Sequence, residues 1–165
     1  MMSPSQSPVV AALEALCVDF ETIKIDPTFS ETAAFCEKYG YPLEKSANTI
    51  IVTSKRGPKK YAACVVLATN LLDVNKRVRK LMGVSRASFA SAEQMKELTG
   101  MQIGGVTPMS LPNGLKLYVD ERVMQCDWII LGGGGRDLKI KTSPEVFRKL
   151  EAEIVPELGM EPRNE

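Results

Sequence analysis

Hydrophobic and polar positions follow two different periods along the chain, and these periods predict strands and helices. Six segments show the two-residue alternation, or the continuous β-branched and aromatic runs, that are typical of strands. They are 20–25 (FETIKI), 48–52 (NTIIV), 61–68 (YAACVVLA), 115–119 (LKLYV), 127–131 (DWIIL) and 138–142 (LKIKT). A Gly-Pro turn signal at Gly57 and Pro58 separates the second and third strands. These two strands are therefore expected to form a hairpin with a long connection.

Five other segments have apolar residues at helical spacing, with cap residues at their ends. The predicted starts and stops are Pro8 for the first helix, Ser30 and Gly40 for the second, Asp73 and Gly83 for the third, Ser91 with Gln94 and Gly100 for the fourth, and Ser143-Pro144 for the fifth. Strands cluster in pairs without a helix between them, which favours α+β over a strict βαβ alternation. We expect one domain over residues 1–165, with a mixed, largely antiparallel sheet curled into a barrel-like core and flanked by helices.

Composition narrows the class of protein. The chain has 165 residues, 44% hydrophobic and 25% charged, with a net charge of +1. These values are ordinary for one globular domain, and the overall charge predicts no partner. The N-terminus lacks a secretory pattern, and no run of about 18 apolar residues exists. We therefore expect a soluble, cytoplasmic protein with no membrane contact; the oligomeric state is left open.

The chain contains no histidine, and this excludes several kinds of catalytic site. Ser-His-Asp and Cys-His catalysis cannot be built from this chain alone, and neither can histidine-containing zinc sites. The four cysteines are far apart and lie in apolar surroundings, as expected for buried thiols in a reducing compartment. We expect no metal and no cofactor. Any catalysis must use carboxylates, lysine, hydroxyls, main-chain amides or the substrate itself.

Two glycine-rich segments are the first candidates for a site. In TGMQIGGVTPMSLP, residues 99–112, the adjacent Gly104 and Gly105 can present N–H groups to an anion or an oxyanion. The alternative is a sharp corner between a helix and a strand.

The second segment, ILGGGGRDLKI, runs from strand to strand, so it is neither a dinucleotide fingerprint nor a P-loop. Its bare backbone, with Arg136 beside it, suits a phosphate or carboxylate. The alternative is a flexible hairpin loop.

Positive charge is concentrated in the middle of the chain. Eight basic residues meet one acid, Asp73, between positions 55 and 80. They are Lys55, Arg56, Lys59, Lys60, Lys76, Arg77, Arg79 and Lys80. This asymmetry is what a local phosphate-binding patch requires, although solvated helix faces often carry similar runs.

Together these stretches resemble the YbaK/ProX family of aminoacyl-tRNA deacylase-like domains, which also occur as editing modules of prolyl-tRNA synthetases. The carriers are SANTIIV, YAACVVLA, LDVNKRVRKLMG, ELTGMQIGGVTPMSLP and DWIILGGGGRDLKI, so the resemblance covers roughly residues 35–150. It implies a barrel-like α+β fold and hydrolysis of the ester that joins a wrong amino acid to the terminal ribose of tRNA.

The resemblance also implies roles for individual residues. Gly104 and Gly105 would be the main-chain oxyanion donors, and Asn48 would stand with them among the catalytic residues. Substrate contacts would come from Thr49, Thr107, Pro108, Gly132, Gly133, Gly134, Arg136 and Lys139. The tRNA acceptor end would meet Lys55, Arg56, Lys59, Lys60, Lys76, Arg77 and Lys80.

The chain departs from the family's pattern in places that bear on activity. Deacylating members usually carry lysine at the position of Asn48, and a serine and an aspartate at the positions of Gly132 and Lys139. Asn48 brings no charge, although Lys139 could return a cation from another direction. Three hypotheses stay open: a deacylase acting in trans, alone or docked on a synthetase; a silent aminoacyl- or tRNA-binding module; and a protein-interaction platform.

Overall fold

The computed structural model describes residues 8–101 and 105–161. Its helices are α1 Pro8–Ala15, α2 Thr32–Tyr39, α3 Arg79–Met82, α4 Ala92–Thr99, α5 Glu121–Met124 and α6 Glu145–Lys149. Its strands are β1 Phe20–Lys24, β2 Ala47–Ser54, β3 Tyr61–Leu67, β4 Leu71–Leu72, β5 Ala87–Phe89, β6 Lys116–Asp120, β7 Ile129–Gly132, β8 Leu138–Thr142, β9 Glu153–Val155 and β10 Gly159–Met160. A π-helical turn, Val74–Val78, leads directly into α3.

The sequence signals at the helix ends correspond to real caps in most cases. The Ser91 side chain accepts from the Gln94 main chain while Gln94 reaches back to the Ser91 N–H, a reciprocal pair that satisfies two free donors. Asp73 accepts from the Lys76 N–H. Gly83 ends α3 in the left-handed conformation, with φ of +67°, that glycine adopts most readily.

The prediction that Ser30 caps α2 is wrong. The N-cap residue is Glu31, and its side chain makes no capping hydrogen bond. A 3₁₀ turn at Pro27–Phe29 ends on Ser30, so α2 begins two residues beyond it. The Ser30 hydroxyl instead accepts from Arg136 Nε at 3.1 Å.

Two main sheets and a short third one carry the strands. The larger sheet has the order β5-β2-β3-β6-β9, with β3, β6 and β9 parallel and the β2 pairings antiparallel. The smaller sheet is antiparallel in the order β1-β8-β7, and β4 pairs with β10. The β2–β3 hairpin is present as predicted. The mixed α+β class is thereby confirmed.

A closed barrel, in contrast, is not found among the described strands. The two main sheets are joined by one parallel bridge, between Ser46 and Ile130. On the same edge of β2, the antiparallel pairing with β5 covers only Val52 to Ser54. Between these two points this edge of β2 has no partner strand, and a gap therefore separates β7 from β5.

The buried core lies on both faces of the larger sheet. One cluster packs the larger sheet against the smaller sheet and α1, and it includes Val65, Val119, Leu131 and Phe147. A second lies under the π turn and α3 and includes Val52. No helix in the described parts of the chain is long and apolar enough to cross a bilayer.

Candidate functional site

A cleft of about 300 Å³ lies at the gap between β7 and β5. Its wall is mostly apolar, with few polar side chains, as is usual for a small-molecule site. The polar side chains at its wall come from Glu31, Thr32, Ser46, Asn48, Thr49 and Lys139. The apolar part comes from Phe35, Ala47, Ile50, Ile51, Phe89, Ala90, Met95, Val106, Ile130 and Leu131, and Gly132 completes it.

Thr49 lies at the open edge of β2. The Ser46 carbonyl accepts from Ala68 at 2.8 Å and the Ser54 N–H donates to Lys60 at 3.0 Å, so even-numbered residues of β2 pair with the β3 side. In an antiparallel ladder the residues between them direct their N–H and C=O to the opposite edge. On that edge Ile51 accepts from Ala90, which leaves the main chain of Thr49 facing the gap.

The hydroxyl of Thr49 adds a second unused group at the same place. Its Oγ1 is buried and has no hydrogen-bond partner among the described residues. A buried hydroxyl without a partner costs folding free energy, about 1–3 kcal/mol. Such an atom in a cleft wall is the kind of group that a ligand can satisfy.

Asn48 reaches the cleft with a defined orientation. Its Oδ1 accepts from the Thr32 hydroxyl, at 2.5 Å, at the first turn of α2. The acceptor end of the amide is therefore engaged, and Nδ2 is the end that can donate to a ligand. This contact also ties β2 to α2 at the mouth of the cleft.

Lys139 supplies a cation from the opposite wall. It is 5% exposed, and its Nζ donates to the Ser30 carbonyl at 2.6 Å. The ammonium also lies 5.6 Å from the centre of the Phe35 ring. Burial lowers the pKa of Lys139 to about 8, although the nearby Cys36 thiol opposes this by favouring the charged form.

The two glycine segments meet backbone against backbone beside the cleft. Gly134 donates its N–H to the Gly105 carbonyl at 2.7 Å. A Cβ at Gly132 would lie 2.2 Å from the Val106 oxygen, and one at Gly105 would lie 2.8 Å from the Gly135 carbonyl. The absence of side chains in both segments is thus required for close packing.

Several predicted site residues are not brought into the cleft wall. Gly133 donates its N–H to Leu138, and the Gly134 N–H is likewise engaged within the protein. Thr107 is fully buried, and its hydroxyl accepts from the N–H of Met109 in a 3₁₀ turn that includes Pro108. Gly104 lies outside the described residues.

Arg136 is exposed and lies outside the cleft wall. It holds the segment before α2 in place through Ser30 Oγ at 3.1 Å and the Pro27 carbonyl at 3.4 Å. Arg136 therefore connects the β7–β8 loop to this segment by hydrogen bonds.

The basic residues divide between different surfaces. Lys55, Arg56, Lys59 and Lys60 are exposed on the β2–β3 loop. Lys76, Arg77 and Lys80 line a separate depression that also contains Arg122 and three acids, Asp73, Glu157 and Glu161. In that depression Arg77 is engaged, since it donates to the Pro156 carbonyl at 2.8 Å and pairs with Glu157 at 3.7 Å. Acids therefore lie among the basic residues of this depression, whereas Lys55 lies beside Arg79 in another groove.

Sequence reasoning missed most of the wall. Phe35, Met95 and Ile130 were interpreted only as members of helix and strand patterns, because an apolar cleft residue and an apolar core residue have the same periodicity. Glu31 and Thr32 carried one usable signal, their place at a helix start. Phe89 carried none, since it lies in a short strand that no pattern indicated.

Comparisons with known proteins give the chain a family. A family model described as an aminoacyl-tRNA editing domain matches residues 26–150. A proline–tRNA ligase of Maridesulfovibrio salexigens is 30% identical over 135 residues, which are 75% of this chain and 22% of that ligase. The chain thus spans about a fifth of the length of that relative. The uncharacterized protein YwhH of Bacillus subtilis is 28% identical over 109 residues, 66% of this chain and 67% of that protein.

Solved structures share the fold. A "putative trans-editing enzyme for prolyl tRNA synthetase" has a TM-score of 0.80 and 22% identity, covering 98% of this chain and 100% of that one. A hypothetical protein, APE2540, has a TM-score of 0.82 and 24% identity, covering 92% and 99%. These likenesses show the fold, and the family match confirms the resemblance that the motifs indicated. The chain belongs to the aminoacyl-tRNA editing domain family.

Proposed function

We propose that this protein is an editing-type deacylase that hydrolyses the ester of mischarged tRNA in trans. The observation that carries the proposal is the cleft, which gathers Asn48, Thr49, Gly132 and Lys139 around one cavity. Its volume of about 300 Å³ suits an aminoacyl group, while its open side leaves room for the ribose.

The reaction requires neither an imidazole nor a metal ion from the protein. Water adds to the ester carbonyl, the bond from the carbonyl carbon to the ribose oxygen breaks, and the ribose oxygen takes up a proton. The free amino acid and an uncharged tRNA leave. The protein's part is to hold the ester in place and to stabilise the negative charge on the carbonyl oxygen.

Main-chain amides are the proposed oxyanion donors. The Thr49 N–H faces the gap in β2, and Gly105 immediately precedes Val106 in the cleft wall. Fixed amides of this kind stabilise a developing negative charge without having to reorganise. Gly104 is assigned the same role on the family resemblance alone.

Asn48 and Lys139 are proposed to hold the polar part of the substrate. Asn48 Nδ2 can donate to a carbonyl or phosphate oxygen, because Thr32 already occupies its oxygen. Lys139 offers a charge-assisted contact from the facing wall, in place of the lysine that the family usually carries at position 48. The proposed partner is the acceptor end of tRNA, and the proposed compartment is the cytoplasm, where tRNA is charged.

The test is to incubate the purified chain with a panel of mischarged tRNAs and to follow release of the amino acid. Turnover above spontaneous ester loss supports the proposal. The Lys139→Met variant should release the amino acid more slowly, while Lys149→Met, an exposed lysine on α6, should not change the rate. If every mischarged tRNA in the panel loses its amino acid only at the spontaneous rate, deacylase activity is excluded.

A second candidate is a silent module that binds the aminoacyl end without cleaving it. The observation in its favour is that Asn48 is neutral and is held by Thr32, so the usual charge is missing from that wall. Measurable tRNA binding without turnover would select this reading. Asn48→Lys then becomes the gain test: a raised rate means that the missing charge limits catalysis.

A further inference from the structure

Phe89 is the most exposed of the large apolar side chains among the described residues, at 59%. It ends β5 and borders the cleft. Phe89 pairs directly with Val52, so its ring lies on the sheet face that also carries Asn48 and Ile50. Nothing in the proposed ester chemistry requires an aromatic ring at this rim.

A basic groove begins at the other end of the same short strand. Its volume is about 310 Å³, and it is lined by Lys55, Asn75, Arg79, Ser85, Arg86 and Ala87. These residues include three cations and no acid. None of the salt bridges between described residues involves Lys55, Arg79 or Arg86. The Lys55 N–H donates to the Arg86 carbonyl at 2.9 Å, and this hydrogen bond holds these two residues of the groove side by side.

β5 connects the two features. Ala87 lies in the groove and Phe89 at the cleft, and two residues along a strand span roughly 7 Å. The π turn and α3, which carry Arg79, pack on the same sheet face as Val52. One short ligand can therefore contact the ring and the cations together.

We propose that β5 forms a track for a single-stranded RNA 3′ end, with the last base stacked on Phe89 and preceding phosphates bound by Lys55, Arg79 and Arg86. This rests on the proposed function, because it supplies the path by which the terminal ribose enters the cleft. An aromatic platform beside a positive groove is the usual arrangement for single-stranded nucleic acid.

The track replaces the wider basic patch expected from the sequence. Lys76 and Lys80 face a depression that contains acids, whereas the three cations of the groove have no acid among them. Arg86 lies outside the basic run of residues 55–80, and only the fold brings it to Lys55.

A competing occupant follows from the same strand. β5 is at the edge of its sheet, and an edge can accept an extended peptide by main-chain pairing. An acidic peptide would also satisfy the groove. It would gain little from the ring, since its main contacts are with the strand's backbone, and on that ground we favour RNA.

Binding of uncharged RNA tests the track without relying on catalysis. A 5′-fluorescein-labelled trinucleotide ending in adenosine, and uncharged tRNA, are titrated by anisotropy against the full chain. We expect Phe89→Ala to weaken binding about tenfold and Phe89→Trp to retain it. Leu71→Ala, which removes another exposed apolar side chain on β4, should bind as the wild type does. Melting curves check that all variants are folded.

Salt dependence tests the groove separately. Replacing Arg79 and Arg86 together by Gln should lower the slope of log affinity against log salt by about 1.4, because each phosphate contact to a single strand contributes about 0.7. The charge-matched control replaces Lys24 and Lys149, which are exposed on β1 and α6, and should leave the slope unchanged.

The outcomes separate this proposal from the proposed function. Unchanged binding by Phe89→Ala, an equal loss in Leu71→Ala, or an unchanged salt slope in the double arginine variant would overturn the track. So would an acidic peptide that competes as strongly as the RNA. RNA binding through Phe89 without ester hydrolysis would remove only the deacylase. Hydrolysis with normal RNA affinity in Phe89→Ala would remove only the track.

Discussion

The open edge of β2 at Thr49 and the contact between the two glycine segments lie beside the same cleft but differ in what they offer a ligand. At Thr49 the main chain faces a gap and the hydroxyl has no partner among the described residues. At the glycines, the Gly134 N–H is bonded to Gly105 and the Gly133 N–H to Leu138. At the glycine contact, main-chain groups are therefore already hydrogen-bonded within the protein. At the edge of β2, the polar groups of Thr49 are still available to a ligand.

The difference teaches how sequence signals for binding should be weighed. Glycine runs attract attention because they free the backbone, but here close approach of two chains uses that freedom. A plain strand that loses its partner for a few residues presents unpaired groups with no unusual composition. The sharpest way to test this contrast is to add atoms at the glycines and remove atoms at the strand edge.

The largest effect is expected from Gly132→Ala. Its Cβ would lie 2.2 Å from the Val106 carbonyl oxygen, and backbone on both sides must shift to admit it. We expect the free energy of unfolding in urea to fall by about 3 kcal/mol or more. Gly135→Ala is the matched control, because its Cβ would meet only the end of the Asp137 side chain, at 3.1 Å. Equal stability of the two variants would contradict the close-packing account.

Removal of the Lys139 ammonium should separate binding from stability. In Lys139→Met, affinity for a non-hydrolysable aminoacyl-adenosine analogue should fall by about tenfold or more, which corresponds to one charge-assisted contact. The free energy of unfolding should change by a smaller amount, because loss of the hydrogen bond to the Ser30 carbonyl is offset by removal of a charge that burial disfavours. Calorimetric titration and urea unfolding give the two values. Normal affinity in this variant would show that Lys139 does not touch the ligand.

A smaller effect is expected from Thr49→Val, which replaces the hydroxyl by a methyl group of similar size. The folded protein should be as stable as the wild type, or slightly more, because Oγ1 has no hydrogen bond to lose. Affinity for the same analogue should fall about fivefold, and Thr49→Ser should restore it. A loss of stability without a loss of affinity would mean that the hydroxyl serves the fold.

The smallest effect is on pH dependence. Lys139 has a pKa of about 8 in the folded protein, below the ordinary value of 10.5. As pH rises through about 8 the folded protein loses this proton while the unfolded chain keeps it, so analogue affinity should fall and stability should rise. Because other ionisable side chains lie near Lys139, the difference between wild type and Lys139→Met is the quantity to follow. A difference that does not change with pH would contradict the assignment.

The sequence was sufficient for the parts of the fold that depend on local patterns. Caps such as Ser91 with Gln94, and the β2–β3 hairpin, follow from chemistry within a few residues. The family could also be identified from its series of motifs. The short strands β4, β5, β9 and β10 were missed, because two or three residues are too few to show a period.

The site was harder to predict from the sequence, because it forms where the edge of β2 has no neighbouring strand. No property of Thr49 itself signals that β2 loses its neighbour there; that depends on where Ile130 and β5 begin. The pairing of Ser30 with Arg136 likewise joins residues 106 positions apart. Such contacts become visible only when the chain is folded.

The carbonyl of Val106 leaves no space for a side chain at position 132. In this chain, the close approach of the two segments therefore requires glycine at position 132, and a relative that carries serine there must hold the two segments further apart. A glycine at this position in a related chain is a record of the architecture and not of turnover. Polar atoms along the edge of β2 are better suited to distinguishing members that hydrolyse the ester from members that do not.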